Sequence, residues 1–541
     1  MTDPRHAGPR HAGPGSVDPG SVDPGSVDPG SSDPGSSDAG SADAGPADPG
    51  PVAAVVVLAA GGGTRMRSAT PKVLHAIGGR SMLGHVLAAA AAVEPDDVVV
   101  VVGHGREQVV PHVTQCMPRA RTAVQDRQLG TGHATGVGLD ALAARAGMVL
   151  VVMGDTPLLT GQTLRRLAAA HAASGDAATI LTVELDDPTG YGRVLRDASG
   201  APGEIVEQKD ATPDQLAVRE VNSGMYAFDV AYLRSALERV GSDNAAGEAY
   251  LTTVVALARA DGRGVGAVAV DDPWDCEGVN DRVQLARAGA ELNRRVLTGW
   301  MRAGVTVVDP ASTWVDVGVA LAPDVTLLPG VQLHGGTSVG PGATIGPDST
   351  LDDVTVGPGA TVVRTHGSGA TLGAGSTVGP FAYLRPGTDL GERGKIGTYV
   401  ETKNSRIGPG AKVPHLSYVG DAEIGEGTNI GAGTITANYD GVAKHRTVVG
   451  RHCKTGSHNV FVAPVHIGDG AVTGAGAVVR RDVSPGALAV SGGPQRQFDG
   501  WVLRRRAGTA AADAAAAAPE SPGIVQTGGA APRPPDEETR S

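Results

Sequence analysis

Three groups of residues in this chain carry chemistry. The first is "LAAGGGTRMRSATPK" (residues 58–72), which follows directly on the apolar run "VAAVVV". A glycine turn at a strand end lets backbone N–H groups approach phosphates closely, and Arg65, Arg67 and Lys72 are cations able to neutralise a triphosphate. Two other phosphate loops are excluded. The stretch lacks the Gly-Lys-Ser/Thr of a Walker A loop, and a dinucleotide GxGxxG counted from Gly61 meets Met66 where glycine is required. The second group is Asp155 in "VVMGDTPLL" and Asn280 in "DCEGVND". Asp155 ends an apolar strand, where open α/β sheets bind ligands, although alone it equally suits a helix cap. With Asn280 as a second hard oxygen the pair suits Mg²⁺, assisted by Arg65 and Lys72. The third group centres on His415: histidine side chains can serve as general bases at neutral pH, although a lone histidine in a coil is more often a surface residue.

The elements that must position these residues follow from hydrophobic patterning. From 51 to 280, "VAAVVVLAA", "DDVVVVVGHG", "MVLVVMGD", "AATILTVEL", "GMYAFD" and "VGAVAV" are near-continuous apolar runs of strand length, alternating with helical patterns. Such runs suit strands buried on both faces, and the alternation predicts an α/β domain with a mainly parallel sheet. A charged stretch over 281–304 predicts a linking helix. Beyond it aliphatic residues recur every six positions: Val339, Ile345 and Leu351; Leu372, Val378, Leu384, Leu390 and Ile396; Ile407, Val413 and Val419; Ile424 and Ile430; Ile467 and Thr473. Glycine usually follows. This is the hexapeptide signature of a β-helix, in which stacked coils bury what no single coil can. Residues 1–50 repeat "GSVDP" and 506–541 are biased in Ala, Pro and Gly, so both ends are expected to be disordered tails.

Composition narrows the function classes. The net charge of −12, of which residues 1–50 contribute −6 through eight Asp against two Arg, opposes general nucleic-acid binding. No apolar run approaches the roughly 20 residues of a membrane helix, and the N-terminus lacks a signal-peptide core. Cys116, Cys276 and Cys453 are far apart with no CxxC, which suits a reducing cytoplasm better than a disulfide framework or a zinc site.

The spacing "LAAGGGTRM…PK" resembles nucleotidyltransferases that join a nucleoside triphosphate to a sugar 1-phosphate. Further stretches, "QDRQLGTGHA", "GYGRV", "IVEQKDA" and "EVNSGMY", resemble in order the bifunctional N-acetylglucosamine-1-phosphate uridylyltransferase and glucosamine-1-phosphate N-acetyltransferase family of bacteria. That resemblance spans nearly all of 52–500. It implies a Rossmann-like α/β nucleotidyltransferase domain (51–280), a linker helix (281–304) and a left-handed parallel β-helix (305–505). It further implies that Leu58, Ala59, Ala60, Gly61, Met153 and Gly154 flank the nucleotide, that Gln125, Gly130 and Thr131 hold uracil, and that Gly192, Glu207 and Asn222 hold the amino sugar and ribose. Two departures stand out: Met153 occupies a position where the family often has Tyr, and Thr253 one where it has Asp.

In the second half the resemblance makes His415 the base that deprotonates the substrate's 2-amino group. It places Arg385 and Lys403 on the sugar phosphate, Tyr418 and Asn429 on the sugar ring, and Ala432, Asn438, Tyr439, Ser457 and Ala475 along acetyl-CoA. Glu401 orients nearby groups. Where some relatives have Arg just before "PQ" this chain has Gly492, leaving Arg496 or another cation to hold the CoA nucleotide. The implied activity is acetylation of glucosamine 1-phosphate followed by uridylyl transfer from UTP with Mg²⁺, supplying UDP-N-acetylglucosamine for peptidoglycan. The implied assembly is a cytoplasmic homotrimer. Two rivals, a nucleotidyltransferase whose repeats only assemble the trimer and a non-catalytic ligand sensor, are opposed by the His415 group and by the Asp155/Asn280 pair respectively.

Overall fold

A computed structural model describes residues 51–493 and 497–519. The expectations for residues 1–50, 520–541 and Arg496 fall outside these. The apolar runs form strands β1 (Val52–Ala59), β2 (Asp97–Val102), β4 (Met148–Met153), β5 (Ala178–Glu184), β8 (Glu220–Asp229) and β9 (Val265–Ala269). Three shorter strands, β3 (Arg121–Val124), β6 (Arg193–Arg196) and β7 (Pro202–Val206), complete a nine-stranded sheet. Its main path runs β9-β5-β8-β4-β1-β2-β3, with the β6–β7 hairpin attached to β8. The pairs β1–β2, β1–β4, β2–β3 and β5–β9 are parallel, whereas β8 runs antiparallel to both neighbours.

Helices α1 (Met82–Ala91), α2 (Arg106–Cys116), α3 (Thr131–Asp140), α4 (Gly161–Ser174), α5 (Val230–Leu237) and α6 (Thr253–Ala260) accompany the sheet. The core divides into two clusters that take alternate residues of the same strands. Val55, Val57 and Val100 lie in one, Val56, Val99 and Val101 in the other. A sheet covered on both faces needs apolar residues at every strand position, which is why these strands read as unbroken valine runs.

Helix α7 (Arg282–Arg302) begins at Asp281, whose carboxylate accepts from the Val283 and Gln284 N–H groups. It leads into a left-handed parallel β-helix of three sheets with seven, ten and nine strands. One coil places Ile396, Thr402 and Ile407 inward, and the next places Val413, Val419 and Ile424 directly above them. The aliphatic hexad residues are buried in one continuous core, with Thr473 buried as well. Coils approach so closely at their corners that a Cβ on Gly373 would stand 2.6 Å from the Glu392 nitrogen, so glycine follows the aliphatic residue for steric reasons.

One expectation needs correction. The tail read as disordered from 506 carries a helix at Ala510–Ala517, preceded by a short one at Trp501–Arg505. Alanine is the strongest helix former, and the Thr509 hydroxyl caps the helix by accepting from the Ala512 N–H at 3.3 Å.

Candidate functional site

Strand β2 leaves β1 on one side and β4 returns on the other, so the sheet has a switch point between β1 and β4, where α/β folds bind ligands. Leu58 pairs there with Met153, and the loops beyond these strand ends carry the first two residue groups. The Lys72 ammonium donates to Asp155 Oδ2 and, at 3.2 Å, to Asn280 Oδ1. The Arg65 guanidinium donates to the same Asn280 oxygen at 2.9 Å. The Val279 N–H donates to the Asp155 carbonyl at 2.9 Å, tying the two oxygen-bearing loops together. Arg282 at the start of α7 donates to the Met66 carbonyl at 3.1 Å and closes the basic turn.

Two hard oxygens therefore converge on one point, which the Lys72 ammonium bridges. No cluster of three or more His, Cys, Asp or Glu suited to a metal occurs among the described residues. Such a donor set fits a cation that keeps water and substrate phosphates in most of its shell, as Mg²⁺ does.

Two cavities meet at this point and share Leu58, Thr131, Met153 and Asp155. The smaller, 250 Å³, is lined also by Ala59, Ala60, Gly61, Lys72, Gln125 and Gly130. The larger, 410 Å³, is lined also by Arg65, Gly192, Glu207, Asn222 and Asn280. Gly154 lies just behind, its N–H donating to the Leu58 carbonyl at 2.9 Å. Burial drives the Glu207 carboxyl above the usual carboxylate range, with the Thr252 hydroxyl at 3.5 Å as a weak counterweight. Asn222 is buried, donating to the Tyr226 hydroxyl at 2.7 Å and accepting from the Gly224 N–H at 3.0 Å.

Sequence reasoning missed several residues in and behind the cavity walls. Gln128, within the quoted "QDRQLGTGHA", donates to the Ala60 carbonyl at 2.6 Å and so fixes the glycine turn. His133, on α3, meets the Gln125 amide at 2.9 Å. Tyr191, in the wall of the larger cavity, donates to Glu277 at 3.4 Å, and burial together with that carboxylate pushes its phenol up to about 12, keeping it a donor.

The β-helix presents a different surface. Register stacks Tyr383, Glu401 and Tyr418 on one sheet, and Arg385 pairs with Glu401 at 2.8 Å. Lys403, in register with Gly420, lies beside Lys444 of the 439–445 loop and holds that second ammonium below the ordinary lysine range. Two crowded ammonium groups and a nearby guanidinium suit a phosphate dianion.

His415 ends its strand, exposed, with its carbonyl accepting from the Gly433 N–H at 3.2 Å. Among the described residues its imidazole has no hydrogen-bond partner. Asn429 is half-buried between Lys412 and Lys454, its N–H on the Cys453 carbonyl at 2.9 Å. Ala432, Ser457 and Ala475 follow one corner of successive coils, linked by His458 N–H to the Ala432 carbonyl at 2.6 Å and Gly476 N–H to the Ser457 carbonyl at 2.8 Å. Tyr439 is exposed on the projecting loop, its hydroxyl on the Gly441 carbonyl at 2.6 Å. Asn438 instead turns inward: it is buried and donates to Asp421 and, at 3.4 Å, to the Tyr418 hydroxyl.

Comparison with known proteins agrees with both halves. Residues 55–204 match the MobA-like NTP transferase domain. The bifunctional protein GlmU of Kineococcus radiotolerans is 61% identical over 464 residues, which cover 86% of this chain and 94% of that protein. GlmU of Streptomyces avermitilis is 59% identical over 472 residues, covering 87% and 98%. This chain belongs to the GlmU family. Within a GlmU framework the two departures have defined surroundings. Met153 forms the wall shared by both cavities, and Thr253 opens α6 directly after Thr252, the residue that approaches Glu207.

Proposed function

We propose that the chain makes UDP-N-acetylglucosamine in two steps, acetyl transfer on the β-helix and uridylyl transfer in the α/β cleft. The observation that carries the reading is the convergence of Asp155, Asn280, Lys72 and Arg65 where the two cavities join. The smaller cavity takes UTP and the larger takes N-acetylglucosamine 1-phosphate. Gln125 donates its amide N–H groups to the Gly130 carbonyl at 3.3 Å and to His133, which leaves its carbonyl oxygen to accept from the imide N–H of uracil. Glu207 and Asn222 meet sugar hydroxyls. The sugar-phosphate oxygen attacks the α-phosphorus directly and pyrophosphate leaves, so the protein's part is alignment and charge neutralisation by Arg65 and Lys72. Asp155 and Asn280 would hold Mg²⁺, which supplies further neutralisation of the phosphates.

On the β-helix, Arg385, Lys403 and Lys444 bind the phosphate of glucosamine 1-phosphate. Its amino nitrogen attacks the thioester carbonyl of acetyl-CoA while His415 takes the proton. The small-residue corner at Ala432, Ser457 and Ala475 lets the pantetheine arm lie against backbone. An exposed ladder of Phe381, Tyr399 and Leu416, all at positive φ and with the two rings stacked 5.4 Å apart, supports a homotrimer in which a second copy covers these residues and closes the space around His415. Three free cysteines and the absence, among the described residues, of a helix able to span a membrane accord with a cytoplasmic enzyme.

The test supplies glucosamine 1-phosphate, acetyl-CoA, UTP and Mg²⁺ together, omits each in turn and analyses the products by mass. UDP-N-acetylglucosamine should form only with all four. Acetyl-CoA consumption by His415→Ala equal to wild type would leave the β-helix an assembly device. Sedimentation should give three copies for wild type and one for Tyr399→Glu.

A further inference from the structure

One side chain of the linking helix touches both loops that carry the converging oxygens. Arg295, in α7, donates Nη1 to the Leu158 carbonyl at 3.2 Å and to Asp275 Oδ1 at 2.9 Å. Its Nη2 donates to Asp272 Oδ2 at 2.7 Å, and its Nε to Glu291 Oε1 at 2.9 Å. Leu158 lies three residues beyond Asp155, and Asp275 five residues before Asn280. The Asp275 side chain is only 12% exposed and takes a further hydrogen bond from the Thr163 hydroxyl of α4. The guanidinium is thus a rigid fork whose prongs end on two loops that also meet through the Val279 N–H and the Asp155 carbonyl, around the Lys72 ammonium, and in the packing of Leu158 with Val279.

We infer that Arg295 is a positioning residue for uridylyl transfer: from the linking helix it fixes the distance between the Asp155 and Asn280 loops and so sets the affinity of the cleft for a divalent cation. The inference rests on the cleft reading above. A staple that merely held α7 to the domain would need only the carboxylates on one side. Arg295 also engages the backbone of the opposite loop, and it leaves the helix's grip on the first coil to Asn293, which donates to the Thr313 carbonyl at 2.8 Å and accepts from the Val315 N–H at 3.0 Å.

The experiment uses full-length protein and Mn²⁺ as the probe, its binding followed by electron paramagnetic resonance with a non-hydrolysable UTP analogue present. Removing a residue that orients metal ligands weakens metal binding by about tenfold to a hundredfold. Arg295→Met should fall in that range, Arg295→Lys should recover part of it, and Asp272→Asn, which deletes one bond, should shift it least. Hydrogen exchange over 272–281 should accelerate in step, while acetyl transfer by the same samples stays at the wild-type rate. Asn293→Ala, a change in the same helix away from the loops, should leave the Mn²⁺ affinity alone. Affinity within about twofold of wild type in both Arg295 variants, or equal loss in Asn293→Ala, overturns the inference. If Asp155→Ala also bound Mn²⁺ as wild type does, the cleft reading itself would fail, a separate result.

Discussion

The two candidate sites sit on one chain yet are built in opposite ways. In the cleft, Asp155 and Lys72 have side chains 16% and 12% exposed, Arg65, Lys72, Asp155 and Asn280 lean on one another, and two cavities adjoin the space. On the β-helix, His415 is exposed and without a hydrogen-bond partner among the described residues, Arg385 and Glu401 are each more than a third exposed, and the contact residues spread over several coils. The difference follows from the folds. A doubly wound sheet brings strand ends from distant sequence to one crevice, so one copy suffices. A solenoid lets each coil touch only its neighbours, so residues from successive coils line up on an open face rather than in a crevice.

The sharpest way to break this comparison is to disable each site alone. Asp155→Ala should lower uridylyl transfer by about a thousandfold, as expected for losing charge stabilisation in an enclosed site, and leave acetyl transfer unchanged in separate coupled assays. His415→Ala should lower acetyl transfer by about a hundredfold or more, the usual contribution of a general base, with uridylyl transfer intact. Loss of both activities in either variant would mean that the sites are not independent.

Much of this was legible in the sequence, for physical reasons that also mark the limits. The valine runs announce strands buried on both faces, and the hexads announce inward positions, because burial leaves few alternatives there. The strands Arg121–Val124, Arg193–Arg196 and Pro202–Val206 escaped notice, since short strands with charged or proline residues lack that pattern. In the cleft, Asp155, Asn280, Lys72 and Arg65 were legible by type, but their convergence on one point was not, because 215 positions separate Arg65 from Asn280. Tyr191 sits in the recognised "GYGRV" and Arg295 in the expected linking helix, yet neither was singled out, because their importance lies in what they reach across to. The Phe381–Tyr399–Leu416 ladder was hidden for a related reason, as residues one coil apart are neighbours only once the coil length is known.

Stability should separate the regions too. Leu384 is fully buried in the β-helix interior, and Leu384→Ala should destabilise that domain by about 2–5 kcal/mol. Denaturant titrations followed by uridylyl transfer and by acetyl transfer should then diverge, with the acetyl-transfer midpoint falling first. Coincident midpoints would show that the linking helix couples both halves into one cooperative unit.

The smallest effect concerns Glu207, whose carboxyl is held above the usual carboxylate range by burial. The folded protein thus holds this proton more tightly than the unfolded chain does. The folded state is therefore favoured below the unfolded pKa, and that advantage is lost as pH rises through the raised value, because the anion must then be buried. Glu207→Gln carries no such charge, so its melting midpoint should exceed that of wild type at about pH 8 and match it at about pH 4. Ionisation is also what turns Glu207 into a full acceptor for sugar hydroxyls. The KM for N-acetylglucosamine 1-phosphate should accordingly fall with rising pH in wild type and stay flat in Glu207→Gln. A cleft built for binding would thus be less stable where it binds best, whereas the open coil face, whose charged groups are solvated, should show no such opposition between stability and KM.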